Sequence, residues 1–157
     1  MNSKFLFEEN YSKKMKDLHE DKIYRSYFTY DGRNKFAWVP IDEQIALKYF
    51  KAILEAEGFQ VCRRITKKIQ AAAHISVVLP HEMSNLSLKK LRDAKMSLIR
   101  NQGRVCFQIS GATLYVKDGV TYAALKVTSQ DVYQLRKEIG LEENPQDFEM
   151  HISVGEK

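Results

Sequence analysis

The four residues His-Ile-Ser-Val occur twice in this chain of 157 residues, at 74–77 and again at 151–154, about half the chain apart. In an extended strand, residues two apart project from the same face. His74 and Ser76 therefore stand together, with Ile75 and Val77 on the opposite face. His151 and Ser153 repeat the arrangement, with Ile152 and Val154 behind them. An imidazole titrates near pH 6.5, so at neutral pH one histidine can accept a proton while a second donates one. A hydroxyl beside each can donate a hydrogen bond to an oxygen on which charge is building. Two such pairs in one cleft suit acid–base attack on a phosphodiester. One His-x-Ser alone would read as an ordinary strand histidine; the duplication is what points to chemistry. Which histidine is the acid and which the base stays open at this level.

Both copies need strands to hold them, and the pattern supplies these. A helix is expected over residues 42–57, with Asp42 as N-cap, Ile45, Tyr49 and Ile53 on one stripe and Gly58 as the stop. Strands are expected over 59–63 and 72–79, the second ended by Pro80 and carrying the first motif. Arg63, Arg64, Lys67 and Lys68 form a basic connection between them. A second helix is expected over 86–99, with Leu88, Leu91, Ala94 and Leu98 inward. Strands come next at 104–109, 113–117 and 120–127, the last two joined by an Asp118-Gly119 turn. A third helix is capped by Thr128 or Ser129, carries Val132, Leu135 and Ile139, and stops at Gly140. A last strand over 148–155 bears the second motif. Ahead of all this, residues 1–34 form an extension. It holds a charged helix over 7–20, an aromatic strand over 22–30 and an Asp31-Gly32 turn into a strand over 35–40.

The order is strand–helix–strands, then strand–helix–strand again: an α+β pattern of two pseudo-symmetric lobes, antiparallel sheet inside and helices outside, with the motifs in a central cleft. The chain reads as one domain over 1–157, with lobes from 35–85 and from 104–147 with 148–157. It resembles the two-histidine (2H) phosphoesterase superfamily, which includes RNA 2',3'-cyclic phosphodiesterases and phage enzymes of the "Swiss army knife" type. The resemblance rests on both HISV copies and on the units KFAWVPIDEQIALKYFKAIL and TYAALKVTSQDVYQLRKEIG, and it covers residues 35–157. Both hydroxyl positions are Ser, where Thr is common in that superfamily. The resemblance implies catalytic roles for His74, Ser76, His151 and Ser153, with no metal and no cofactor.

Strand parity adds candidates for substrate binding. Tyr122 shares a face with Ala124 and Lys126, and Lys35 with Ala37 and Val39, on the strands expected to floor the cleft. Tyr122 is a candidate to stack on a base, and Lys35 to meet a phosphate. Glu149 is a candidate to orient His151, and Arg63 and Arg64 to rim the cleft. Tyr24, Arg25, Tyr27, Phe28 and Tyr30 read as a half-buried strand more readily than as a lid. Trp38 reads as packing under the first helix.

The rest of the composition narrows the class. With 44% hydrophobic and 29% charged residues, seven glycines and three prolines, the chain is neither disordered nor fibrous. Nothing approaches the apolar length of a membrane span, and the start does not look like a secretory signal. Cys62 and Cys106 suit reduced core thiols in a cytoplasmic protein, or in host cytoplasm for a viral one. A net charge of +5 suits an anionic partner, RNA or a small cyclic nucleotide, bound by a monomer. The leading expectation is hydrolysis of 2',3'-cyclic phosphate RNA ends. The alternatives are a phage-type hydrolase of signalling oligonucleotides that counters host immunity, and a nucleotide-sequestering module without turnover.

Overall fold

Two adjacent residues with positive φ, Asp118 at 53° and Gly119 at 78°, make the tight turn whose twist matches that of paired strands. That turn sets the register of the longest hairpin in the described chain, Val105–Lys117 against Val120–Thr128. The computed structural model describes residues 3–69, 71–100, 103–145 and 149–157. The strands expected separately at 104–109 and 113–117 are one strand, interrupted by a bulge between Ile109 and Gly111. A bulge bends a strand without ending it, and this one falls in the gap between the two expected strands.

The elements are α1 (Ser3–His19), β1 (Tyr24–Ser26), β2 (Thr29–Asp31), β3 (Phe36–Pro40), α2 (Glu43–Tyr49), β4 (Gln60–Val61), α3 (Arg63–Thr66), β5 (His74–Ser76), α4 (Leu88–Arg100), β6 (Val105–Lys117), β7 (Val120–Thr128), α5 (Gln130–Glu138) and β8 (His151–Glu156). A wider π turn, Phe50–Leu54, extends α2, and a 3₁₀ turn, Pro80–Asn85, comes after β5. All described strand pairs are antiparallel, which makes the fold α+β. One sheet runs β1-β6-β7-β8-β4 and the other β2-β3-β5. Each motif strand lies beside a strand that feeds a helix: β5 beside β3, then α2; β8 beside β7, then α5.

The core lies on the face away from the motif side chains. Ile75, Val77, Ile152 and Val154 are all fully buried, with Ala37, Val39, Ala123 and Leu125 from the neighbouring strands. Burying aliphatic side chains of this size stabilises by roughly 1.5–3 kcal/mol each, an upper estimate because real unfolded chains already bury some surface. Helix ends obey the expected chemistry. The Asp42 carboxylate accepts from the Gln44 N–H at 2.9 Å, and Ser129 Oγ accepts from the Val132 N–H at 3.2 Å. Gly58 and Gly140 take the positive φ that ends each helix (83° and 85°).

Three expectations change here. The aromatic strand expected over 22–30 is two short strands, and they serve different sheets: β1 pairs with β6, β2 with β3. The Ser26 hydroxyl donates to the Pro40 carbonyl where the chain crosses between them. The strand expected over 59–63 stops at Val61, because Arg63 opens α3 and its N–H is taken by the Glu156 carboxylate at 2.8 Å. Leu88, expected inward, is 43% exposed at the first turn of α4, while Leu91 and Ala94 are buried. The expected start of the last strand at Phe148 lies outside the described residues.

The N-terminal segment is part of the fold. Strand β1 covers β6 only from Val105 to Phe107. Farther along the same edge, Ser12 of α1 takes over: its Oγ accepts from the Ala112 N–H at 3.1 Å and donates to the Ala112 carbonyl at 3.3 Å. Met15 of the same helix is fully buried in the core. From within 35–85, β4 crosses to pair with β8.

A buried arginine fixes the exit of the first motif strand. Arg136 of α5 is fully buried. It donates to the Val77 carbonyl at 2.7 Å, to the Glu142 carbonyl at 2.8 Å, and to both carboxylate oxygens of Glu82 at 2.9 and 2.7 Å. Glu82 in turn accepts from the Leu79 N–H at 2.7 Å. Burial pushes the Glu82 pKa up, but the hydrogen bonds from Arg136 and Leu79 outweigh it, so the carboxyl sits below its usual range.

Candidate active site

Register decides which side chains share the motif face. On the first sheet His74 pairs with Pro40, and Ser76 with Trp38. On the second, His151 pairs with Lys126 and Ser153 with Ala124. Directly paired residues point to the same side of a sheet. The motif face of β3 therefore carries Phe36, Trp38 and Pro40, whereas Ala37 and Val39 face the core at 0% exposure. This corrects the expectation for Lys35, Ala37 and Val39. Lys35 is not in the strand: it sits in the preceding turn at φ 59°, its N–H donating to the Asp31 carbonyl at 2.8 Å. The sequence FAWVP is apolar on both faces, so alternation alone could not set its phase. Trp38, expected under the first helix, lies on the motif face, nearly buried there by stacking on Phe36.

The two imidazoles are close enough for their charges to interact. His74 is half-buried. Its Nε2 lies 3.1 Å from Ser76 Oγ, and Phe36 meets the ring edge-on at 5.6 Å. Burial first, then the Arg64 guanidinium and to a smaller degree His151, pull its pKa down to about 4, against an opposing hydrogen bond to the Ala71 backbone. At neutral pH His74 is an uncharged base. His151 makes a different set of contacts. Its Nδ1 donates to the Glu149 carbonyl at 2.9 Å, which leaves Nε2 as the free ring nitrogen. The contact from Glu149 is thus made by its backbone carbonyl, and the carboxylate expected to orient His151 is at an exposed position.

Ser153 is held by a residue that strand parity did not single out. Tyr115 Oη lies 2.5 Å from Ser153 Oγ, and its ring packs at 5.1 Å from His151 and stacks on Tyr122 at 5.0 Å. Burial raises the Tyr115 pKa, against the hydrogen bond with Ser153, so the phenol stays protonated at neutral pH. The signal for Tyr115 was in the sequence. Counting back equally from the Asp118-Gly119 turn places it opposite Tyr122. Tyr122 is thus on the motif face as expected, with one of its faces covered by Tyr115.

The two arginines of the basic connection separate. Arg64 is exposed, and its charge acts on His74 and on Tyr115. Arg63 is 80% exposed and turns to Glu156 at 3.9 Å, so its side chain is tied to the edge of β8. Cys62 is buried and Cys106 half-buried, both free, and burial pushes the Cys62 thiol up to about 12. Among the described residues, no three His, Cys, Asp or Glu side chains converge as they would to hold a metal ion. No described helix is long and apolar enough to cross a membrane.

The fold is α+β, and each of its two sheets carries one His-x-Ser strand, β5 in one and β8 in the other. Over residues 41–157 the chain matches the family model described as Swiss Army Knife, 2H phosphoesterase domain, and it belongs to that family. It is therefore, in general terms, a phosphodiester hydrolase. No curated protein and no solved structure matches the chain.

Proposed function

We propose that this protein, acting as a monomer, hydrolyses a nucleotide phosphodiester by two-histidine acid–base catalysis, with RNA ending in a 2',3'-cyclic phosphate as its substrate. The observation that carries the reading is the shared placement of the two His-Ser pairs, with one histidine kept neutral by burial and by Arg64. His74 is the base: it takes a proton from the attacking water as the new P–O bond forms. His151 is the acid: it gives a proton to the ribose oxygen as that P–O bond breaks. Water and cyclic phosphodiester are consumed, a ribose hydroxyl and a phosphomonoester are produced, and the proton passes from one face of the phosphorus to the other. Ser76, Ser153 and Arg64 meet the non-bridging oxygens, where charge grows in the transition state. Tyr115 is a positioning residue. By donating to Ser153 Oγ, it turns the serine proton toward the phosphate.

The test is a substrate panel in excess EDTA, comparing the wild type with His74→Ala and His151→Ala. The panel holds RNA with a 2',3'-cyclic phosphate end, linear 2',5' and 3',5' oligoadenylates, and cyclic dinucleotides and trinucleotides. Turnover of the cyclic-ended RNA that survives EDTA and is lost in both variants is the expected result. Turnover only of the signalling nucleotides moves the assignment to that class, and tight binding without turnover moves it to sequestration.

A further inference from the structure

An open groove of about 680 Å³ lies where β1, the end of β3, Ile99 of α4 and Gly103 and Arg104 ahead of β6 come together. Four observations bear on what it holds. First, Pro40 lines it, and Pro40 is the direct ladder partner of His74, so the groove begins one strand away from the first motif histidine. Second, Arg25 and Arg104 line it, both exposed, and neither has an acidic partner among the described residues. Third, Tyr27 and Ile99 also line it, at 61% and 58% exposure, large apolar surfaces that nothing in the described chain covers. Fourth, Asp42 also lines it, and its carboxylate is engaged by the Gln44 N–H at the start of α2.

Two exposed guanidiniums with an exposed aromatic ring and an exposed isoleucine are the elements of a single-stranded nucleic-acid groove, in which cations track phosphates and rings stack on bases. We propose that this groove binds the single-stranded RNA that leads up to the scissile phosphate, with Arg25 and Arg104 on backbone phosphates and Tyr27 under a base. The inference rests on the phosphodiesterase reading above and deepens it. It makes the substrate the end of a polynucleotide, because two backbone phosphates and a stacked base beyond the scissile phosphate are more than a cyclic mononucleotide carries. It also accounts for the aromatic–basic run near the N-terminus. Tyr24 stacks on Phe107 and Phe28 is buried, while Arg25 and Tyr27 are left for the groove.

The test uses RNAs of two and ten nucleotides, each ending in a 2',3'-cyclic phosphate, with the full chain, an R25Q/R104Q variant and a Tyr27→Ala variant. The expected result is a KM about tenfold lower for the longer RNA in the wild type, from about two phosphate contacts. R25Q/R104Q abolishes that difference and flattens its salt dependence, and Tyr27→Ala reduces it. For the two-nucleotide RNA, kcat and KM stay within about twofold of wild type. Equal KM for both lengths in the wild type overturns the groove, as does an equal loss on both RNAs in R25Q/R104Q. Binding of the ten-nucleotide RNA is also monitored by fluorescence anisotropy in a His74→Ala background, with and without R25Q/R104Q. If the wild type turns over neither RNA, the substrate reading fails. The groove then stands if that binding weakens about tenfold with the two arginines removed, and falls if it does not.

Discussion

Strands β5 and β8 both begin at the histidine of the repeated tetrapeptide and give it different surroundings. In β5, Ser76 and His74 bond to each other, the histidine is held neutral, and the strand is three residues long. The chain leaving β5 is anchored from α5 by Arg136, through the Val77 carbonyl and Glu82. In β8, histidine and serine have separate partners, Glu149 and Tyr115, and six residues of strand sit between β7 and β4. Identical sequence therefore does not mean identical role. Proton affinity is set by burial and neighbouring charge, and these come from residues outside the repeat.

The widest break in the comparison comes from removing either imidazole. His74→Ala and His151→Ala should each lower kcat by about 10²–10⁴, with little change in KM, in steady-state assays on the cyclic-ended RNA. A loss confined to one of them would sink the two-histidine assignment. Next is the anchor that only β5 has. Arg136→Met leaves the half-buried Glu82 without its partner and should cost about 3–5 kcal/mol, read from urea unfolding. A loss below about 1 kcal/mol would mean that the pair behaves as a surface one.

Smaller effects sharpen the contrast. Tyr115→Phe should lower kcat about tenfold with KM nearly unchanged. Combined with Ser153→Ala it should cost little more than Ser153→Ala alone, because the two act as one unit. Combined with Ser76→Ala its effect should be additive, and full additivity with both serines would remove Tyr115 from the mechanism. The smallest effect is on pH. With His74 as the proposed base, kcat/KM should hold as pH falls below 6.5 and drop near pH 4. Arg64→Gln removes a charge that holds the pKa down, so the acid limb should move to higher pH. An acid limb that stays in place would separate Arg64 from His74.

Stability depends on the same groups, and the sign is fixed by their direction. His74 and His19 are both held down at about 4, each chiefly by burial, with Lys48 and Lys22 adding to His19. Between pH 6.5 and 4 the unfolded chain binds protons at these positions and the native chain does not. Their contribution is complete above 6.5, is lost through that window, and changes no further below it. Thermal melts across pH 4–7 should show the decline, and His19→Asn should make it shallower.

What could be read from the sequence was whatever is written in short range. Asp42, Ser129, Gly58 and Gly140 mark helix ends because caps need only neighbours. The Asp118-Gly119 turn sets a register that, followed outward, puts Tyr115 opposite Tyr122. The pairing of His74 with Pro40 could not be read, because no tight turn joins β3 to β5 and both faces of β3 are apolar. Arg136 was hidden for a related reason. It lies on a helix of mostly polar residues, and its partners Val77 and Glu82 are more than fifty residues away.

The serine that α1 lays on β6 has a consequence for how molecules of this protein behave toward one another. Ser12 occupies both hydrogen-bonding groups of Ala112 on a stretch of β6 that β1 does not reach. Without α1 that stretch would offer free N–H and C=O groups beside apolar side chains, the template on which one strand recruits another. The helix thus acts as a guard on the open edge, and a chain shortened past Ser12 should be found as dimers and larger aggregates before it is found unfolded.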